Sequence, residues 1–236
     1  MLAIWKRELQ SYFYTPVGYV FMGVFLALSG TFFYMLMLGS RSSDVLTFLG
    51  QLSYLWMLLS PVLTMRLLAE EKQKRTDQLL LTSPVSLPGI VLGKYLAAFT
   101  VMIFTVLLTL IYVLIIAMYG AVYPSELLVG YLGFILQGGA FLALGLFISG
   151  CASSQVTAAV TAFGVNLALW LLDLLAGSMT QNWARDVLYF FSLYDRYNPF
   201  LMGQLSFASI GYDLSFIAAF LALSIHRLDS RRYRGA

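Results

Sequence analysis

Few residues in this chain are of types that carry out chemistry, so we first asked whether they form a catalytic or ligand-binding set. There is one histidine, His226, and one cysteine, Cys151. These exclude a disulfide framework and a cysteine-rich metal site, and they leave little for a histidine-based one. No arrangement of serine, histidine and aspartate for nucleophilic catalysis is indicated. We therefore predict that the chain is not an enzyme and binds no metal or cofactor itself.

Residues 89–95, GIVLGKY, superficially resemble a phosphate-binding loop. Such a loop has four residues between its glycines, and a serine or threonine follows its lysine. Here three residues separate Gly89 from Gly93, and Tyr95 follows Lys94. The segment also opens a strongly apolar run and follows no predicted strand. We therefore predict no nucleotide site here, and the chain is not expected to hydrolyse ATP by itself.

The composition is that of a membrane protein. Of 236 residues, 60% are hydrophobic and 11% are charged, whereas about 25% are charged in a soluble domain. A helix needs about 20 apolar residues to cross a bilayer, and six runs qualify: residues 17–38, 47–68, 90–119, 127–150, 154–177 and 208–225. The runs are continuous and do not alternate, which favours helices over strands. We predict an all-α polytopic membrane protein with six transmembrane helices.

Residues 1–15 have a different pattern. Leu2, Trp5, Leu9 and Tyr12 recur at helical spacing, and the charged side chains between them lie elsewhere on the helical wheel. This pattern is typical of an amphipathic helix that lies in the membrane interface. A threonine and a proline then separate it from the first span.

The positive charges are distributed unevenly along the chain. If the amino terminus is cytoplasmic, only Arg41, Arg185 and Arg196 lie outside. The other 11 of the 14 cations are then cytoplasmic: Lys6, Arg7, Arg66, Lys72, Lys74, Arg75, Lys94, Arg227, Arg231, Arg232 and Arg234. The positive-inside rule therefore predicts that both termini are cytoplasmic. The net charge of +3 is small and does not suggest a nucleic-acid partner.

Polar residues at membrane depth are few: Gln137, Asn166 and Asp173. Each is costly in lipid, so each should face another helix or water. They are candidates for a substrate path, and hydrogen bonds between helices are the alternative. Ion-coupled carriers usually carry several ionisable groups in the membrane. The nearly charge-free core therefore favours an energy source outside the chain.

Two segments outside the predicted spans stand out. Residues 70–88 combine a charged turn with a leucine-rich end, which is typical either of a protein-docking element or of a solvated loop. Residues 178–207 are rich in aromatic side chains and predict short helices in the outer interface. These helices would form an outer gate or simply anchor the protein. The candidate gate residues are Trp183, Tyr189, Phe190, Phe191 and Tyr194.

Three stretches resemble those of a known family. They are residues 4–13, IWKRELQSYF; residues 65–85 with Gly93–Lys94–Tyr95; and residues 191–195, FSLYD, continuing to residues 212–214. These stretches resemble three features of type 2 ABC transporter permeases. The features are an amphipathic entry helix, an acidic-basic turn before a leucine run, and an aromatic stretch before the last helix. The gliding-motility-type subunits are the most similar. Arg75 and Gln78 depart from the glycine and glutamate common there.

The resemblance implies a bacterial cell-membrane permease subunit that pairs with a second copy or a homologous permease, and that exports its substrate. It also implies separate cytoplasmic ABC ATPase subunits, which bind ATP and magnesium. The implied ATPase-coupling residues are Glu70, Glu71, Lys72, Arg75, Thr76, Asp77, Gln78, Leu79, Leu80, Leu81 and Thr82. The alternatives are a stand-alone channel or secondary carrier, and a membrane anchor for soluble partners.

Overall fold

The computed structural model describes residues 1–75, 86–120, 122–178, 188–189 and 192–234. Within these ranges the regular structure is helical. The helices are α1 (Leu2–Tyr14), α2 (Pro16–Phe33), α3 (Val45–Thr64), α4 (Arg66–Gln73), α5 (Leu87–Tyr119), α6 (Pro124–Cys151), α7 (Gln155–Ser178), α8 (Leu193–Leu201) and α9 (Phe207–Arg234). A π-helical turn, Tyr34–Leu38, continues α2.

Six helical stretches are long and apolar enough to cross a membrane, as the sequence predicts: Pro16–Leu38, Val45–Gln73, Leu87–Tyr119, Pro124–Cys151, Gln155–Ser178 and Phe207–Ser230. Most of their ends lie within a few residues of the predicted ones. The second stretch is longer, because only Met65 interrupts the helical backbone between α3 and α4. The helix therefore includes residues 70–73, the first part of the segment that the sequence predicts as a charged turn.

Among the described residues, the turn that follows α4 consists of Lys74 and Arg75. Arg75 has a φ of 55°, in the left-handed region that favours glycine and that often ends a helix. The glycine that is common at this position in the resembling permeases fits this conformation without strain.

Helix α6 is the centre of the bundle. Its most apolar stretch is 67% buried, against 17% for α7 and for α9, and it packs on α3, α4, α7, α8 and α9. Glycines on α6 permit the close approach of these helices. A Cβ atom on Gly133 would lie 2.5 Å from Cγ of Phe200, and one on Gly145 would lie 2.7 Å from Cβ of Thr64.

Helix α1 is docked on the body of the bundle. Ile4 and Tyr12 are buried, and the Tyr12 hydroxyl donates a 2.6 Å hydrogen bond to the Leu63 carbonyl at the end of α3. Trp5 Nε1 donates to Thr100 Oγ1 of α5 at 3.1 Å. Leu2, predicted on the same apolar face, is exposed. The entry helix is therefore fixed to α3 and α5 by hydrogen bonds as well as by apolar contact.

Helix α8 is the short helix found in the aromatic segment before the last span. Its first residue contacts the middle of α6, because the carbonyl of Leu193 accepts a 3.4 Å hydrogen bond from Nε2 of Gln137, halfway along that helix. Tyr197 and Phe200 are buried against the same helix. The bundle thus encloses the buried face of α8.

Candidate functional site

Charged side chains from three helices meet at one end of the bundle and line a cavity of about 390 Å³. We call this cluster the charged junction. Its members come from α1, from α4 and the residue after it, and from the first turns of α5: Arg7, Glu8, Arg66, Glu70, Glu71, Lys74 and Lys94. Four cations and three carboxylates nearly balance, so the junction is an ion-pair network rather than a patch of one sign.

Lys94 is at the centre of the charged junction. Its side chain is 1% exposed, and its Nζ lies 2.8 Å from Oε1 of Glu71 and 3.1 Å from Oε1 of Glu8. Arg7 Nη2 contacts the same two carboxylates, at 2.9 Å for Glu8 and 3.3 Å for Glu71. A buried ammonium is tolerated only when it is paired. Lys94 therefore holds α1 and α4 against the start of α5.

Arg66 makes the second tie between α4 and α1. Its Nε pairs with Oε2 of Glu70 at 2.9 Å, while Nη1 donates to Thr15 Oγ1 at 2.7 Å and Nη2 to Ser11 Oγ at 3.2 Å. The guanidinium also lies over the Tyr12 ring, 5.5 Å from its centroid. Burial raises the pKa of Tyr12 well above the usual range of a phenol, so Tyr12 stays a neutral hydrogen-bond donor.

A helix break at Met65 lies just before the junction. Ser149 of α6 inserts its hydroxyl there: Oγ donates to the Met65 carbonyl at 3.1 Å and accepts from Leu68 N at 3.1 Å and Ala69 N at 3.0 Å. The first turns of a helix have N–H groups without intrahelical partners. Ser149 satisfies two of them and thereby fixes the direction in which α4 leaves α3.

A family comparison agrees with this architecture. The model of the family described as "ABC-2 family transporter protein" matches residues 52–229, which extend from α3 into α9 and so cover most of the chain. The chain belongs to the ABC-2 transporter family. This confirms the resemblance to type 2 ABC permeases. A search of curated proteins found no match.

In this ABC-2 family protein, some of the expected coupling residues lie on α4. Glu70 and Glu71 belong to the charged junction. Lys72 Nζ donates to the Ala152 carbonyl at 2.9 Å, in the turn between α6 and α7, and Arg75 is in the left-handed turn described above. The remaining seven lie outside the described residues: Thr76, Asp77, Gln78, Leu79, Leu80, Leu81 and Thr82.

The polar residues at membrane depth are engaged in hydrogen bonds between helices. Asn166 Nδ2 donates to the Met57 carbonyl at 3.0 Å. Met57 is four residues before Pro61, which has no N–H to offer that carbonyl, so the Asn166 amide replaces the missing helical hydrogen bond. Gln137 Oε1 accepts from Ser53 Oγ at 2.6 Å, and Asp173 Oδ1 accepts from Ser192 Oγ at 2.6 Å.

Two of the expected gate residues are described. Tyr194 is 5% exposed, and its ring stacks on Tyr54 of α3 with centroids 5.2 Å apart. Tyr189 is partly buried, close to Gly177 at the end of α7. Trp183, Phe190 and Phe191 lie outside the described residues. Within this single subunit, Tyr194 is thus a packing residue between α8 and α3.

Sequence reasoning missed six residues of the site: Arg7, Glu8, Arg66, Lys74, Lys94 and Ser149. Lys94 carried a usable signal, because a lysine at the start of a long apolar run must find an anion or reach water. Its partners could not be identified, because Glu8 and Glu71 are 86 and 23 residues away. Ser149 had no signal that set it apart from other small residues of α6.

Proposed function

We propose that this ABC-2 family protein is the permease subunit of an ATP-driven exporter, and that separate cytoplasmic ATPase subunits act on it through α4. The charged junction is the observation that carries this proposal. It connects α4 to both α1 and α5, at the end of the bundle where most cations lie. ATP and magnesium belong to the ATPase, while this chain supplies the docking element and the substrate path.

The contacts of α4 explain how its displacement would be transmitted to the other helices. Lys94 and Arg66 tie α4 to α1 and α5, and Ser149 ties its start to α6. Lys72 and Gln73 hold the turn between α6 and α7, with Gln73 Oε1 accepting from Gln155 N at 3.2 Å. Residues 76–82 follow α4 directly in sequence and would touch the ATPase. Closure of the ATPase dimer would then move four spans together.

A second permease, either another copy or a homologue, would complete the path. In the described part of the chain α7 and α9 leave broad apolar faces uncovered, including Val156, Val160 and Leu174 on α7 and Leu214 on α9. Lipid and a second subunit are the covers suited to such faces. The path would open along helices linked by the hydrogen bonds of Gln137, Asn166 and Asp173, and α8 with its aromatic neighbours would gate the outer end.

This orientation places the charged junction and both termini in the cytoplasm of a bacterial cell, with the turn between α2 and α3 outside. The positive-inside rule supports it, because seven of the eleven inner cations lie on the elements that form the charged junction: α1, α4 with the two residues after it, and α5. ATP binding can drive transport in one direction only if the two conformations of the permease bind the substrate with different affinities.

The variant Arg66→Gln tests the coupling role. It removes the charge-assisted bonds to Glu70, Thr15 and Ser11 while leaving the spans intact, so we expect ATP-driven transport in reconstituted vesicles to fall roughly tenfold or more. The measured quantity is substrate transported per ATP hydrolysed. Arg227→Gln, an exposed cation on α9, is the matched control and should leave that ratio unchanged. Equal ratios for both variants and the wild type would reject the coupling role.

A further inference from the structure

A groove lies at the end of the bundle remote from the charged junction, between the α2–α3 and α5–α6 turns. It consists of two adjoining cavities, of about 490 Å³ and about 280 Å³, and we call it the loop groove. Ser42 and Ser43 line both cavities, so the two are adjacent. Their sizes are in the range of small-ligand sites, about 300–1,000 Å³ in proteins generally.

The charges along the loop groove are separated by sign. Arg41 lines the larger cavity, whereas Asp44 and Glu126 line the smaller one. Asp44 caps α3 by accepting from Thr47 N and Oγ1, at 3.1 Å and 2.6 Å. Neither the guanidinium of Arg41 nor the carboxylate of Glu126 pairs with another side chain among the described residues. The groove thus presents the unpaired guanidinium of Arg41 and, past two serines, two carboxylates, of which Glu126 is unpaired and Asp44 caps α3.

The larger cavity is also amphipathic. Met37 and Ile116 form buried parts of its wall, whereas Leu38 and Tyr119 are 49% and 84% exposed at its edge. These residues end the apolar spans α2 and α5, at the level where headgroups meet acyl chains and where tyrosine prefers to lie. The wall therefore suits the upper part of an acyl chain, with the charged groups of its headgroup above it.

We propose that the loop groove binds the headgroup of an amine-bearing phospholipid. The phosphate contacts Arg41, whose planar guanidinium matches two phosphate oxygens. The ammonium group contacts Asp44 and Glu126, and the acyl chains lie along α2 and α5. A phospholipid with a phosphate but no amine would satisfy Arg41 alone, and it would leave Glu126 without a partner.

Native mass spectrometry of the purified chain in mild detergent measures this binding directly. Phosphatidylethanolamine is the test lipid, phosphatidylglycerol lacks the amine, phosphatidylcholine has a methylated one that cannot donate hydrogen bonds, and inorganic phosphate tests for a free anion. We expect phosphatidylethanolamine to bind roughly tenfold more tightly than the other two lipids, and we expect no binding of inorganic phosphate at the same concentrations.

Two variants assign the groups. Glu126→Gln should abolish the preference for phosphatidylethanolamine over phosphatidylglycerol, while Arg41→Met should weaken both lipids about tenfold. Lys6→Met, an exposed cation on α1, is the control and should change nothing. Equal affinity of the wild type for all three lipids, a wild-type preference in Glu126→Gln, or a wild-type affinity in Arg41→Met would overturn the proposal. The measurement requires neither an ATPase nor a known orientation in the membrane, so it is independent of the proposed transport function.

Discussion

Replacing Lys94 with methionine is expected to loosen the attachment of α1 and α4 to α5 and to destabilise the chain by about 3 kcal/mol. Lys94 is 1% exposed and holds Glu8 and Glu71, which are themselves only 16% and 17% exposed. Removing one partner of a buried ion pair typically costs about 3–5 kcal/mol, because the remaining charges are left uncompensated. The partial exposure of the two carboxylates places the cost at the lower end. Thermal unfolding in detergent measures it.

The matched control is Lys74→Met. Lys74 pairs with Glu70 at 2.6 Å on the same helix, but its side chain is 64% exposed, and such exposed pairs contribute about 0.3–0.5 kcal/mol. The double variant Lys94→Met/Glu71→Gln should recover part of the loss, since one uncompensated carboxylate is removed with its partner. If Lys94→Met lowers the unfolding temperature no more than Lys74→Met does, the charged junction does not hold the three helices together.

The substitution Gly145→Ala is expected to destabilise the chain by about 1–3 kcal/mol, the usual cost of overpacking a filled core. The added methyl would lie 2.7 Å from Cβ and 2.8 Å from Cγ2 of Thr64, a buried residue beside the α3–α4 break. Helices α3 and α6 must then separate where Ser149 holds the start of α4. The chain should therefore lose ATPase coupling in vesicles in addition to thermal stability.

Gly164→Ala is the control for that experiment. No atom lies within 4 Å of a Cβ atom placed on Gly164, and alanine in place of glycine within a helix adds about 0.5–1 kcal/mol of stability. The two alanine variants should therefore shift the unfolding temperature in opposite directions. A shift of the same sign and size in both would show that contact with Thr64 does not limit the approach of α3 to α6.

The spans could be predicted because hydropathy is a property of a continuous run of residues. Each apolar run had to be long enough to cross the bilayer, and the structure places a helix on each. The ends were less certain where polar residues continue a helix beyond the lipid. Glu71 and Lys72 look like parts of a turn in sequence, yet they lie within α4. Glu71 pairs there with Arg7 of α1 and Lys94 of α5, and Lys72 donates to the α6–α7 turn.

The site could be predicted only in part, because its contacts join residues far apart in sequence. Pro61 in an apolar run indicates a helical carbonyl that lacks its donor, but nothing local identifies Asn166, 109 residues beyond Met57, as the replacement. In the same way, aromatic residues before the last span predict interfacial helices. The burial of α8 depends on the slot that Gly133 leaves for Phe200, and on Gln137.

The most direct test is to purify the chain from its own membranes in mild detergent and to identify what co-elutes. We predict stoichiometric recovery of an ATP-binding subunit, together with any second permease. That subunit should be lost when Leu79, Leu80 and Leu81 are each replaced by aspartate, while the chain still inserts. Recovery of the chain alone, with transport in liposomes that contain no ATPase, would contradict the coupling function proposed for α4.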